Sequence, residues 1–336
     1  MKNPQVTRKR LPYPSLEEWV NRIRAGEVSF LSQAITLMES SLPEDRKLAE
    51  DLIQEVLPYS GNSIRIGITG VPGVGKSTFI EAFGCKLTAQ SKKVAVLAVD
   101  PSSPLSGGSI LGDKTRMEKL SGDTHAYIRP SPSGHTLGGV SARTRESILL
   151  CEAAGYEIIL VETVGVGQSE VLVKDMTDFF LLLMLPGAGD ELQGMKKGII
   201  EMADLMVIHK ADGDNLKRAR RAQVDYQQAL HLLPLRQVDW NPEVVMASSL
   251  TGEGLDAIWN KILDYKSSTQ VSGRLTENRR TQMADWFQQT LNEMLLDYLS
   301  KKWKDNPESA KIRQAAIAGQ MNPVLAARKI FDINIY

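Results

Sequence analysis

A run of eight residues early in the chain has the spacing of a phosphate-binding loop. Residues 70–77 match the pattern G-x-x-x-x-G-K-[ST]. Glycines let backbone N–H groups curl around phosphate oxygens, and a helix that begins here adds its positive N-terminus. The ammonium of Lys76 is expected to reach the β- and γ-phosphates, and the hydroxyl of Ser77 to ligate Mg²⁺. The predicted nucleotide-binding residues of this loop are Gly73, Val74, Gly75, Lys76, Ser77 and Thr78.

Acidic residues follow two other apolar segments of the chain. Asp100 comes directly after residues 94–99, and Glu162 comes directly after residues 158–161. Ligands of open α/β sheets bind at the carboxyl ends of the strands, so both carboxylates are candidates for the site. Glu162 can hold Mg²⁺ through water, and the amide of Gly165 can bond the γ-phosphate, so that hydrolysis releases this loop. Asp113 lies in a polar segment, residues 108–116, that could close over a nucleotide; for Asp100 or Asp113 alone, a helix cap or a turn explains the residue equally well.

A third apolar segment leads into residues that could select the base. Residues 205–208 run into His-Lys-Ala-Asp at 209–212, where GTPases usually carry N-K-x-D or T-K-x-D. Asp212 is placed to accept two hydrogen bonds from guanine, and the stem of Lys210 to lie over the base. His209 replaces the usual first residue; an imidazole can still donate one hydrogen bond, so guanine specificity is expected to be weakened but kept. Ser248 and Ser249 form the expected second base element, and a plain strand-to-helix turn is the alternative for K-x-D.

The elements that must position these residues alternate along the middle of the chain. Short apolar runs separated by helical stretches predict a largely parallel sheet covered on both faces. Helical patterns precede this region, and a long helix over residues 275–303 follows it. The predicted fold is an α/β P-loop NTPase with N-terminal helices and a C-terminal helical arm. We expect an N-terminal helical segment over residues 1–60, a GTPase domain over 61–268 and the arm over 269–336. The runs predicted as strands are residues 64–68, 94–98, 158–161, 179–184, 205–208 and 244–246.

The composition narrows the class of partner and compartment. The 336 residues contain 40 basic and 40 acidic side chains, so no net field favours nucleic acid or an anionic membrane. The longest strongly apolar run, residues 179–185, suits a buried strand and is too short for a membrane span. Cys85 and Cys151 have no C-x-x-C spacing, which favours a reducing compartment. We therefore expect a cytoplasmic protein that binds neither nucleic acid nor membrane.

Several of these segments together resemble the MeaB/ArgK family, the accessory GTPases of the cobalamin-dependent methylmalonyl-CoA mutase. The resemblance extends over the whole chain. The segments that carry it are residues 70–78, 100–103, 108–117, 162–170 and 187–194.

The resemblance implies a homodimer that binds GTP or GDP with Mg²⁺ and hydrolyses GTP slowly until the mutase accelerates it. It implies a chaperone that gates adenosylcobalamin delivery and protects or reactivates the mutase. Carried over by position, Lys76, Asp100, Glu162 and Gly165 would be catalytic, and Ser77, Asp100, Asp113 and Glu162 would organise the metal. Segment 187–197 would be an additional switch toward the partner, with Asp190, Gln193 and Lys196 as its polar contacts.

Three other classes of protein are alternatives. A small-molecule kinase or ATPase linked to amino-acid transport would require a base near an acceptor pocket, and the K-x-D turn argues against it. A nickel or zinc metallochaperone often carries His-rich tracts, whereas the four histidines here are scattered. A purely structural dimer would use the apolar stripe on the long helix, but the phosphate site is too complete to be vestigial. The residues of that stripe are Met283, Phe287, Leu291, Met294 and Tyr298.

Overall fold

A computed structural model describes residues 13–40, 42–99, 117–130, 137–163, 169–187, 197–231 and 239–335. Within them, seven strands form one sheet in the order β3-β2-β4-β1-β5-β6-β7, and all six strand pairs are parallel. The α/β prediction is therefore confirmed. The strands are β1 (Ile64–Gly70), β2 (Val94–Val99), β3 (Ala126–Arg129), β4 (Ile158–Thr163), β5 (Phe179–Met184), β6 (Leu205–Ile208) and β7 (Glu243–Met246).

Thirteen α-helices accompany the sheet in the described ranges. Six of them follow the N-terminal helices and precede the last strand. The helices are α1 (Leu16–Arg24), α2 (Val28–Met38), α3 (Pro43–Val56), α4 (Lys76–Thr88), α5 (Glu118–Ser121), α6 (Leu137–Ala153), α7 (Ser169–Lys174), α8 (Lys197–Met202), α9 (Leu216–His231), α10 (Leu255–Val271), α11 (Arg274–Asp305), α12 (Pro307–Ile317) and α13 (Pro323–Ile335). No helix among the described residues is long and apolar enough to cross a membrane.

The strands are apolar on both faces because the sheet is buried on both sides. Val94 and Val96 of β2 pack into one core cluster, while Ala95 and Leu97 pack into another on the opposite face. This continuous burial is what parallel sheets covered by helices require. Strand β3 was not predicted; its apolar residues are followed directly by Arg129, and only Tyr127 and Ile128 are buried.

The N-terminal helices pack as their patterns predict. The hydroxyl of Ser15 accepts a hydrogen bond from the amide of Glu18 and caps α1, whose Trp19 and Ile23 are fully buried. These side chains share a core cluster with residues of α2, α3 and α6. Arg129, at the end of β3, donates to both carboxylate oxygens of Glu39, which follows α2. The helical layer is thereby joined to the sheet.

Two buried ion pairs lie at the edge of the sheet where β1 and β5 begin. Arg65 donates through two nitrogens to Glu152, whose side chain has no exposed surface. Arg279 donates to the carboxylate of Asp178 and to the carbonyl of Ser63. The first residues of α11 are thus fixed to the strands that lead toward the site.

The last strand of the sheet is bonded by side chains as well as by its neighbour. Gln223 and Gln227 lie one turn apart on α9. The side-chain amide of Gln223 donates to the carbonyl of Val244, and the amide N–H of Val244 donates to the side-chain oxygen of Gln227.

The chain divides into two compact units, residues 1–279 and 280–336. The second unit contains most of α11 with α12 and α13, and its interior includes Asn334, which donates to the hydroxyl of Ser309. The side chains of the predicted apolar stripe on α11 are between 40% and 68% exposed. An apolar face of this length is unusual for a surface with no partner.

Candidate functional site

The site residues lie where three strands end. Strand β1 occupies the middle of the sheet, between β4 and β5, and its residue Ile68 is in register with Glu162 of β4. The phosphate-loop motif follows β1, and the predicted base residues follow β6. The carboxyl ends of parallel strands share one edge, so the topology brings these distant segments to the same side of the sheet.

The phosphate-loop motif forms the turn from β1 into α4. Gly75 is the N-cap of α4 with φ of 91°, a left-handed conformation that side chains with a Cβ rarely adopt. The Lys76 ammonium donates to the carbonyl of Gly70 at 2.9 Å, so it lies within the loop. Burial lowers the pKa of Lys76, and the carboxylates of Glu162 and Glu170 act in the opposite direction. A helix N-terminus and an ammonium at one turn provide the electrostatics that bind a polyphosphate.

A pair of oxygen ligands lies beside this turn. The hydroxyl of Ser77 donates to the carboxylate of Glu162 at 3.2 Å, and Glu162 is only 6% exposed. Beneath them, the hydroxyls of Thr69 and Thr163 are hydrogen-bonded at 2.8 Å between β1 and β4. Hydroxyl and carboxylate oxygens suit Mg²⁺, so the described part of the donor set fits the expected metal. The hydroxyl pair was not predicted from the sequence, since threonine at a strand end carries no distinctive signal.

The residues predicted to bind the base also lie next to the phosphate loop. The ammonium of Lys210 donates to the carbonyl of Gly73 at 2.8 Å. Asp212 accepts a hydrogen bond from the buried hydroxyl of Ser248. The two base segments also exchange a backbone bond, from the amide of Ala211 to the carbonyl of Ala247. The structure therefore brings the two predicted base elements together, next to the predicted phosphate-binding loop.

His209 has a different environment from the one expected. Its ring is buried, with 2% of the residue exposed. Nδ1 lies 2.7 Å from the carbonyl oxygen of Val74, and Nε2 lies 2.6 Å from the hydroxyl of Ser249. Both nitrogens already have protein partners, so the ring has no donor left for the guanine contact that the sequence suggested.

Of the remaining predicted site residues, the structure describes one, and the others lie outside the described part of the chain. Thr78 lies in the first turn of α4 with its side chain exposed. The others lie outside the described residues, and their roles stay predictions: Asp100, Asp113, Gly165, Asp190, Gln193 and Lys196. Glu170 carries no distinctive sequence signal of its own, yet in the structure it is buried and close enough to Lys76 to influence its pKa.

The fold and the site together have the features of the P-loop GTPase class. A central parallel strand leads into a phosphate-loop motif, a Ser–Glu oxygen pair lies beside that motif, and a K-x-D turn lies next to the second predicted base segment. The family described as "Methylmalonyl Co-A mutase-associated GTPase MeaB" matches residues 31–304. The chain belongs to this family.

Individual relatives agree with the family match. The Escherichia coli protein named GTPase ArgK is 50% identical over 285 residues, which cover 85% of this chain and 86% of that protein. The Mus musculus protein named methylmalonic aciduria type A homolog, mitochondrial, is 46% identical over 325 residues, covering 93% of this chain and 78% of that protein. The crystal structure of a protein named LAO/AO transport system kinase matches with a TM-score of 0.74 and 39% identity, covering 97% of this chain and 99% of that one. The protein is accordingly a GTPase.

Proposed function

We propose that this GTPase is an accessory chaperone of methylmalonyl-CoA mutase, which gates adenosylcobalamin loading and protects or reactivates the mutase. The observation that carries the proposal is the family match over residues 31–304, since the family is described as associated with that mutase. Relatives from Mus musculus and Caenorhabditis elegans named for methylmalonic aciduria support the same assignment.

The phosphates and the metal would be held at the end of β1. The Lys76 ammonium moves from the Gly70 carbonyl to the phosphate oxygens with a small change of its flexible stem, and backbone N–H groups of residues 73–78 complete the cradle. Ser77 and Glu162 supply oxygen ligands, with Asp100 and Asp113 as further candidates. When bound, Mg²⁺ would neutralise charge that develops on the phosphates. The catalytic set we propose is Lys76, Asp100, Glu162 and Gly165.

Guanine would be recognised by the segments that follow β6 and β7. The hydroxyl of Ser248 donates to one oxygen of Asp212, which orients the carboxylate toward the two N–H donors of the base. The stem of Lys210 would cover the base plane. Ser248 and Ser249 complete the proposed set of guanine-binding residues.

Hydrolysis is proposed to be slow in the isolated protein and faster when the mutase is bound. The sequence offers no obvious group to activate the attacking water, because Gln168 lies three residues beyond Gly165 and not adjacent to it. We propose that segment 187–197, with Asp190, Gln193 and Lys196, is the switch that reports nucleotide state to the mutase. We also propose that the protein is cytoplasmic.

We also propose that the protein is a homodimer through the arm that begins near residue 269. The exposed apolar stripe on α11 is long enough to need a cover, and a second copy of the same helix offers a matching surface. Met294→Glu would place a charge in that interface and is expected to give monomers in sedimentation analysis. Lys304→Glu, on an exposed polar position of the same helix, is the matched control. A dimeric Met294→Glu protein would contradict this arrangement.

The experiment that tests the function measures phosphate release from GTP with and without purified methylmalonyl-CoA mutase, with ATP as the control nucleotide. Slow GTP turnover that the mutase strongly accelerates is the expected result, and Lys76→Ala should abolish turnover in both conditions. An unchanged rate on adding the mutase would remove the partner assignment and leave the GTPase in place.

A second candidate is a small-molecule kinase or ATPase linked to amino-acid transport. One observation favours it, namely the similarity to a solved structure named LAO/AO transport system kinase, at a TM-score of 0.74. The same assay separates the two candidates. A kinase would transfer phosphate to an amino-acid acceptor and turn over ATP, whereas the proposed chaperone uses GTP and releases inorganic phosphate.

A further inference from the structure

The environment of His209 determines which of its nitrogens carries the proton. A carbonyl oxygen only accepts hydrogen bonds, so the 2.7 Å contact with Val74 requires a proton on Nδ1. Burial lowers the pKa of His209, more than the Val74 carbonyl raises it, so the ring is neutral at physiological pH. Nε2 is then unprotonated and accepts from the hydroxyl of Ser249 at 2.6 Å. The ring therefore receives one hydrogen bond and donates another.

Packing holds the ring in this orientation. Phe79 of α4 lies edge to face against the imidazole, with ring centroids 5.8 Å apart and an interplanar angle of 87°. On the other side, a Cβ at Gly75 would lie 3.2 Å from Cε1 of His209. The imidazole thus lies against the backbone at the start of α4, and its rotation would break both hydrogen bonds.

The two hydrogen bonds of His209 join segments that are distant in sequence. Val74 belongs to the phosphate loop and Ser249 to the segment after β7. The neighbouring Lys210 contacts the preceding carbonyl of the loop, that of Gly73. The imidazole of His209 therefore bridges the phosphate loop and the second base segment through a single rigid ring.

We propose that His209 is a positioning residue that couples the phosphate loop to the guanine-binding segment, through donation to the Val74 carbonyl and acceptance from Ser249. Phosphate binding would fix the loop carbonyl, the carbonyl would fix the ring, and the ring would hold Ser249 beside Asp212 and Ser248. The inference rests on the proposed placement of the nucleotide at this site and needs no particular mutase partner. In this role the histidine supports base selection without touching the base.

A double-mutant cycle on GDP affinity, without mutase, tests the coupling. His209→Ala and Ser249→Ala are each expected to weaken GDP binding about 10-fold, since each leaves a buried polar partner unsatisfied. The double variant should bind GDP at most about twofold more weakly than the weaker-binding single variant, because both changes remove the same link. His231→Ala, at an exposed position on α9, should bind GDP like the unchanged protein. Multiplicative losses in the double variant would overturn the proposal.

The tautomer provides a test that needs no variant. Long-range ¹H–¹⁵N spectra of the GDP-bound protein should show His209 with a protonated Nδ1 and an unprotonated Nε2. A proton on Nε2 alone would contradict the Val74 contact and overturn the proposal, even if His209→Ala fails to fold.

An altered base distinguishes positioning from direct contact. In 7-deaza-GDP a C–H group replaces the N7 acceptor of guanine. If His209 positions other residues, this ligand should lose the same factor of affinity in the unchanged protein and in His209→Ala, which has no side-chain donor for N7. A loss confined to the unchanged protein would show that His209 donates to the base and would overturn the proposal. None of these results depends on the mutase, so they remain interpretable if the chaperone role fails.

Discussion

Replacing Asp212 by Asn changes base selection in a direction that the site geometry determines. In the unchanged protein the carboxylate would accept hydrogen bonds from two N–H donors of guanine, while Ser248 donates to its Oδ2. In Asp212→Asn the Ser248 hydroxyl donates to the amide oxygen, which leaves the amide N–H₂ facing the base. This donor opposes the N–H groups of guanine and matches xanthine, which has a carbonyl in place of the amino group.

The size of the effect follows from two charge-assisted hydrogen bonds at a partly exposed side chain. Each such bond contributes about 1.5–3 kcal/mol, and partial exposure of Asp212 favours the lower end. The expected loss is about 2–4 kcal/mol, or roughly 30- to 1000-fold in GDP affinity, with a gain for xanthosine diphosphate. Competition binding of the two diphosphates measures both changes, and thermal unfolding checks that the variant folds.

Two comparisons make this measurement decisive. Asp214→Asn removes a carboxylate at an exposed position of the same turn and should leave both affinities unchanged. Inosine diphosphate lacks the amino group but keeps N1–H, so it should bind about 10-fold more weakly than GDP to the unchanged protein and lose less affinity than GDP does in Asp212→Asn. If Asp212→Asn kept its GDP affinity within about threefold, the assignment of Asp212 to guanine would be refuted.

Three further results are expected. Glu152→Ala should cost about 3–5 kcal/mol in chemical unfolding, because it leaves Arg65 buried without its carboxylate; a loss below about 1 kcal/mol would show that water solvates the arginine. Burial, with a smaller effect of Glu50, raises the pKa of Glu146 to about 7 from an ordinary 4.5. Between these two pH values the folded state binds more protons than the unfolded state, so the free energy of unfolding should fall as pH rises from 4.5 to 7. Glu146→Gln should flatten this pH dependence and increase the free energy of unfolding by up to about 3 kcal/mol above pH 7. If the free energies of unfolding of the two proteins changed with pH in parallel, the raised pKa would be contradicted. Ser77→Ala should lower GTP turnover about 100-fold and raise the Mg²⁺ concentration needed for half-maximal rate, whereas an unchanged Mg²⁺ dependence would exclude Ser77 as a ligand.

The sheet was predictable because its determinants are local. Six of its strands are short, mainly apolar runs between turn residues, and burial on both faces favours that composition. The phosphate loop was predictable for a similar reason, since its function depends on backbone conformation and a fixed spacing of glycines. Strand β3 was not predicted because only Tyr127 and Ile128 of its residues are buried, with Arg129 directly after them, so its pairing with β2 is decided by the tertiary structure.

The role of His209 could not be predicted from the residues that surround it in sequence. Its principal partner is a backbone carbonyl 135 residues away, and a carbonyl leaves no trace in the amino-acid sequence. The motif located the histidine correctly at the end of β6 but suggested that it faces the base. Burial of the ring and the proximity of Ser249 are consequences of how three segments pack, which a one-dimensional pattern does not contain.

The two glutamines of α9 have a consequence for how this protein can associate. A terminal strand normally offers free N–H and C=O groups on which another chain can pair and extend the sheet. Gln223 and Gln227 occupy both groups of Val244, so an incoming strand would first have to displace them. The two side chains thus make the hydrogen bonds that a further strand would make with Val244. Recruitment by strand addition and fibril templating are therefore disfavoured at β7, and a partner that binds at this edge must recognise side chains there.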